Sequence, residues 1–134
     1  MDEWINKRKT ILAAFQNSSE MESILNPLQS EGYRILKADS FLRFFTALER
    51  YEIDLIIAEV ELPGISIAAL LPFLNQKYPL LKTIVVMKHY SSQLELDLRS
   101  HNVLYVMSWP VNGDLLISIV AKGLEHRVKS LIYV

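Results

Sequence analysis

The chain contains no cysteine, which removes a disulfide framework, a thiolate zinc site and a cysteine nucleophile together. It also lacks a charge excess. Lys and Arg number 14 against 15 Asp and Glu, a formal net charge of −1, too even for nucleic acid to be an electrostatic partner. No apolar run approaches the roughly 20 residues that span a bilayer, and the opening Met1-Asp2-Glu3-Trp4 is acidic and polar, unlike a secretory signal. A soluble, cytoplasmic protein with no membrane partner is the expectation. Glycine is scarce, with four residues. Gly64 stands alone, and neither GxGxxG nor GxxxxGK[ST] occurs, so there is no phosphate-cradling loop. The three histidines, His89, His101 and His126, are scattered rather than clustered as metal ligands would be, and each reads as a surface histidine. No Ser-His-Asp arrangement accompanies His89-Tyr90-Ser91-Ser92. No metal or other cofactor is expected, and an enzyme is the weakest functional class.

What is present is apolar residue in short, well-punctuated runs. With 134 residues, 51% of them hydrophobic and 22% charged, the chain is a globular sequence of one domain with enough material for a real core. The most informative stretch runs from Ile53 to Gly64, IDLIIAEVELPG. Its apolar run ends at Glu59 and is followed by Leu62-Pro63-Gly64, the pattern of a strand buried on both faces that leads into a sharp turn. Such strands belong to parallel sheets covered by helices, where sites form at the carboxyl ends of strands.

Around it, strands and helices alternate. Thr10–Phe15 is a first strand and Gln16-Asn17-Ser18 a loop. Ser19-Glu20-Met21-Glu22 has capping-box spacing and opens a helix with Met21, Ile24, Leu25 and Leu28 on one face, Pro27 inside it and Gly32 beyond its end. Tyr33–Ala38 is strand two. Asp39 or Ser40 caps a helix to about Arg50 with Phe41, Leu42, Phe45 and Leu48 facing inward. Ser66 caps a third helix to about Lys77, in which Pro72 is awkward outside the first turn. Thr83–Met87 is strand four, and Ser92-Gln93-Leu94-Glu95 caps a short helix to about Arg99. Val103–Met107 is strand five, stopped by Trp109-Pro110. A last helix starts at Asn112 or Asp114 with Leu115, Leu116, Ile119 and Val120 inward. Five strand–helix repeats predict an α/β flavodoxin-like (βα)5 fold, a doubly wound parallel five-stranded sheet of order 2-1-3-4-5. All 134 residues form one domain, with its core at about 9–128 and 129–134 as a tail or the start of a linker.

At these residues the chain resembles the receiver domain of bacterial two-component response regulators. The resemblance rests on Asp54-Leu55-Ile56-Ile57-Ala58-Glu59 ending in Leu62-Pro63-Gly64, on Gly32-Tyr33 after the first helix, and on Pro110 after strand five. It covers about residues 9–128. It implies a phosphorelay site of five groups: two acids after strand one that hold Mg²⁺ with a phosphoacceptor Asp, a hydroxyl ending strand four, and a Lys before the proline after strand five. Carried onto this chain, the acid pair falls on Phe15 and Gln16, the phosphoacceptor on Glu59, the hydroxyl on Met87 (or Lys88 with a slip of one), and the lysine on Trp109. All are substituted, and residues 4–19 contain no Asp or Glu at all. Mg²⁺ needs several oxygen ligands in a near-octahedral shell, and phosphoryl transfer needs groups that offset its developing charge. The chain therefore reads as a degenerate receiver that keeps the scaffold without the phosphotransfer chemistry.

Three readings of Glu59 stand open: a mimic of a phosphorylated Asp, an ion pair with Lys88, or a solvated strand-end acid. Trp109, with Phe15 and Met87, fills the former acidic pocket, either as an exposed anchor for a partner or as a repacked core. The resemblance further implies a cis Trp109–Pro110 bond, and no rotating aromatic switch, because Val106 occupies that position with Tyr105 pointing the other way. The tail Arg127–Val134 carries apolar residues that would extend the last helix into a partner, pack on the sheet's flank, or lead to an output domain. The expected function is a phosphorylation-independent signalling module. Its partner would be a protein (a histidine kinase, an output domain or another signalling protein), with a homodimer through helix four, strand five and helix five among the options. The alternatives are a conventional phosphoaccepting receiver and a small-molecule sensor using the altered pocket.

Overall fold

The structure is a computed structural model, which describes residues 8–132, with side chains for 8–124. Trp4, His126 and the side chains of the tail lie outside the described residues. The chain forms β1 (Thr10–Ala14), α1 (Ser18–Gln29), β2 (Arg34–Ala38), α2 (Phe41–Arg50), β3 (Leu55–Glu59), β4 (Glu61–Leu62), β5 (Ile65–Ser66), α3 (Ile67–Lys77), β6 (Lys82–Met87), α4 (Ser92–Arg99), β7 (Tyr105–Ser108) and α5 (Gly113–Ile132).

β2, β1, β3, β6 and β7 lie side by side in that order, all parallel. This is the expected 2-1-3-4-5 arrangement, with the chain reversing direction of travel beside β1 and β3. The two faces follow from strand alternation. On one face Leu12, Ala14, Ile56, Ala58, Val85, Met87 and Val106 pack under α2, α3 and α4. On the other, Ile11, Ala13, Phe15, Ile57, Val86 and Met107 pack under α1 and α5. β1 and β3 are buried at every position, which is why their sequences are continuous apolar runs rather than alternating ones. Asp54 belongs to this scaffold: its carboxylate accepts the Thr10 N–H at 2.8 Å and its own N–H reaches the Thr10 carbonyl at 2.9 Å, tying the start of β3 to β1.

Several local expectations are corrected. Asn17 rather than Ser19 caps α1, its side chain accepting the Glu20 N–H at 2.9 Å. Ser91 rather than Ser92 caps α4, accepting from the Leu94 N–H at 3.2 Å. In both cases the chosen cap lies one or two residues upstream, where the backbone is still extended. Ser40 and Asn112 cap α2 and α5 as anticipated. Ser66 precedes α3 without a side-chain cap bond, and the Ile67 N–H donates to the Val60 carbonyl at 2.7 Å. Phe44 and Leu48 are the buried residues of α2; Leu48 was expected, Phe44 was not, and Leu42 is 75% exposed. Leu115 is likewise exposed, with Leu116 and Val120 inward on α5. Pro72 lies in the second turn of α3, and the helix continues through it because Leu70, Leu71 and Leu74 are buried; tertiary packing outweighs the lost backbone bond. The hairpin β4–β5 was not anticipated. Its Pro63-Gly64 turn, with Gly64 at φ +100°, places the Pro63 carbonyl on the Phe41 N–H at 3.3 Å and so seats the hairpin on the start of α2.

Candidate functional site

Three chain segments meet at the carboxyl edge of the sheet. β1 ends at Ala14 and passes through Phe15 into Gln16 and Asn17. β3 ends at Glu59. β6, whose Val86 lies in register with Glu59, ends at Met87 and hands on to Lys88 and His89. Between them opens a cleft of about 480 Å³ lined by Gln16, Asn17, Glu59, Val60, Glu61, Met87, Lys88 and His89.

Glu59 is the central group, and two of its three sequence readings are corrected here. It is not a solvated strand-end acid, because it is only 6% exposed. Nor does it pair with Lys88. The Lys88 ammonium turns instead to Glu20 in the first turn of α1, at 3.1 Å, with both side chains partly in solvent. The Glu59 carboxylate accepts the backbone N–H of Gln16 and forms no ion pair among the described residues. The physical reason is local: the Gln16 N–H is a donor already fixed at the sheet edge, whereas Lys88 must spend side-chain entropy to reach any acid. It finds one at the exposed rim, where less desolvation is required. Gln16 itself points outward, its side-chain amide reaching the Glu61 carbonyl at 3.4 Å.

Of the two readings of Phe15, Met87 and Trp109, the repacked core holds for Phe15 and Trp109, while a plug of all three in the cleft is corrected. Phe15 (1% exposed) belongs to the core under α1 and α5, while Met87 (2% exposed) belongs to the opposite face, because the register sets Phe15 level with Val86 and Met87 is the next residue along, which strand alternation turns to the other side. Met87 alone lines the cleft. Trp109 is partly buried against the α1–α5 core and lines no part of the cleft, so it is neither an exposed anchor nor a wall of the site. Its N–H donates to the Met87 carbonyl at 3.0 Å, continuing the β6–β7 ladder, and its indole Nε1 is buried with no protein acceptor. Trp109–Pro110 is cis, as the resemblance implied. Val106 is buried on one face and Tyr105 belongs to the other, also as implied.

His89 lines the cleft, near the site where the sequence placed His89-Tyr90-Ser91-Ser92, whereas sequence reasoning did not foresee Glu61 on the lining or Glu20 beside Lys88. Glu20 was signalled: Asn17-x-x-Glu20 has capping spacing two residues earlier than the Ser19 box, and this first-turn acid of α1 reaches Lys88 just past β6. Among the described residues no group of three or more His, Asp or Glu side chains is placed to hold a metal ion, and no helix is long and apolar enough to cross a membrane.

A second surface forms along β7, the last strand of the sheet. Leu96 on α4 is 69% exposed and Leu115 on α5 is 42% exposed, flanking a shallow groove over Tyr105, Val106, Met107, Ser108, Pro110 and Asn112. The α4 flank is ordered by a chain of contacts: Arg99 pairs with Glu95 at 2.8 Å and lies 5.8 Å from the Tyr105 ring centroid, and the Tyr90 hydroxyl donates to Glu95 at 3.0 Å. The Arg99 hydrogen bond, then that from Tyr90, holds the Glu95 carboxyl below its ordinary range. The same bond to Glu95 pushes the Tyr90 hydroxyl up.

Comparison with protein-family models found no match, and comparison with curated proteins found none either. Comparison with solved structures found receiver domains. A signal receiver domain from Vibrio parahaemolyticus superposes with a TM-score of 0.85 at 24% identity, covering 94% of this chain and 98% of that one. The CheY-like response regulator receiver domain protein from Methanospirillum hungatei gives 0.83 at 21% identity, covering 92% and 99%. The beryllofluoride-activated NtrC4 receiver domain dimer gives 0.81 at 16% identity, covering 87% and 97%. The fold of this chain is that of CheY-like receiver domains.

Proposed function

We propose that this chain is a degenerate receiver: a signalling module with the response-regulator scaffold that works by protein–protein interaction without phosphorylation. The carrying observation is the state of the cleft where the resemblance places phosphotransfer. Its one buried carboxylate, Glu59, is fixed by the Gln16 N–H. The position assigned to a metal-binding acid is a core phenylalanine, Phe15, and the position assigned to the charge-neutralising lysine is Trp109, packed away from the cleft. A single carboxylate cannot complete an Mg²⁺ shell. Lys88, the nearest cation, is held by Glu20. Incubation of the chain with acetyl phosphate and Mg²⁺, followed by intact mass measurement, is expected to leave the mass unchanged; a stable gain of one phosphoryl group would restore the conventional receiver.

The partner on this reading is a protein: a histidine kinase, an output domain, another signalling protein or a second copy of the chain. The α4–β7–α5 face supports the last, since Leu96 and Leu115 are large apolar side chains left in solvent beside an edge strand. A structural neighbour is described as a receiver domain dimer. Leu96→Glu is expected to shift sedimentation toward monomer, and an unchanged sedimentation coefficient across concentration would remove this face as the interface.

A further inference from the structure

We infer that the Glu59 cleft receives a basic side chain, Arg or Lys, from a partner protein. The inference deepens the proposed function by naming the partner's chemistry at the same cleft. Glu59 is 6% exposed and lines the cleft; among the described residues it has no cationic partner, and the Gln16 backbone N–H is its one hydrogen-bond donor. Removing a carboxylate from water without a counter-charge is costly, so the group is poised to gain from an incoming cation. The rest of the cleft has the same bias. Glu61 lines it and is exposed, and the ammonium on its lining, Lys88, is already engaged by Glu20 outside the lining, so two carboxylates of the cleft have no cation of their own among the described residues. His89, exposed on the lining, is the other titratable group there. Met87 and the stem of Lys88 offer apolar wall to the methylenes of a long basic side chain. The volume of about 480 Å³ accommodates a side chain with its water, and a guanidinium could bond to Glu59 while its other donors turn to the Glu61 side of the cleft.

The Gln16 amide proton bonds to Glu59 and therefore reports on it. In ¹H–¹⁵N spectra of the whole chain, N-ethylguanidinium chloride, n-butylammonium chloride and the capped peptide acetyl-Gly-Arg-Gly-amide are titrated against NaCl of equal ionic strength. A saturable shift of the Gln16 resonance with the organic cations is expected, with the peptide binding at least tenfold tighter than ethylguanidinium. Glu59→Gln, which keeps an acceptor for Gln16, is expected to weaken binding tenfold or more. Glu20→Gln, a change at a half-buried side chain that releases Lys88 to compete for Glu59, is expected to weaken it threefold or more and serves where the first variant does not fold. No shift beyond the NaCl control, equal binding by the variants, or a shift with MgCl₂ alone would each overturn the inference. Small cations binding as tightly as the peptide would overturn a protein source. Phosphate uptake in the mass assay together with this titration would defeat the proposed function and leave the cation contact standing. An unchanged mass with no titration would do the reverse.

Discussion

Phe15→Asp is expected to abolish cooperative folding, whereas Phe15→Leu should unfold in denaturant as a single transition close to that of the unaltered chain. The residue ends the β1 run, is 1% exposed and packs with the α1–α5 core. Truncating a buried phenylalanine costs about 3–5 kcal/mol, and an unpaired buried carboxylate adds several kcal/mol more. Together these approach the roughly 5–15 kcal/mol that holds an ordinary domain folded. The new acid would also stand one residue from the N–H that fixes Glu59, setting two carboxylates against each other. Leucine keeps most of the volume and adds no polar atom, so its cost should stay under about 1.5 kcal/mol. Circular dichroism with urea titration decides it. A Phe15→Asp protein that unfolds cooperatively with little loss would mean the position opens to the cleft and that an acid there is readily restored, which would undercut the degenerate-receiver proposal. The substitution matters because it separates a site that has lost one group from a site whose floor has been rebuilt as core.

The second large effect concerns Glu59 itself. Glu59→Ala is expected to cost about 1–3 kcal/mol, because it leaves the Gln16 N–H without its acceptor at a partly buried edge. Glu59→Gln is expected to cost clearly less, since the amide oxygen can take over as acceptor. The comparison isolates the hydrogen bond from the bulk of the side chain, which the amide preserves. Matched urea midpoints with unchanged slopes would provide the measurement. If alanine and glutamine cost the same, the Gln16 contact contributes nothing measurable. If glutamine stabilises, the burial of the charge outweighs its hydrogen bond, as is common for buried ionic groups with incomplete compensation.

Much of the fold was legible before any coordinate was seen, for reasons that can be named. The strands β1, β3 and β6 are continuous apolar runs, because each is covered on both faces by helices. Leu62-Pro63-Gly64 and Gly32 punctuate the chain where the backbone takes positive φ, at Gly64 and Gly32. Helix faces were less legible. On α2 four phenylalanine and leucine positions compete within one turn and a half, and periodicity chose Leu42 where packing chose Phe44. Caps slipped by one or two residues wherever serines or an asparagine lay side by side, since composition cannot tell which of them still has extended backbone.

For the site, sequence alone determined the chemistry available at the positions that the resemblance singles out. Phe15, Gln16, Met87 and Trp109 carry no acid, hydroxyl or ammonium in any conformation, and that conclusion needs no geometry. It also determined that Glu59 ends the central strand, because side-chain type and strand length are local properties. Only the tertiary structure decided whom each charge meets. Lys88 lines the same cleft as Glu59 on β3 yet pairs with Glu20 on α1, and that choice depends on desolvation and on the Gln16 donor that follows β1, none of which is local in the chain. The same non-local geometry sends Phe15 and Met87 to opposite faces of the sheet and turns Trp109 away from the cleft. The result is a buried carboxylate held by one backbone N–H, which a reading of the chain residue by residue had no means to place.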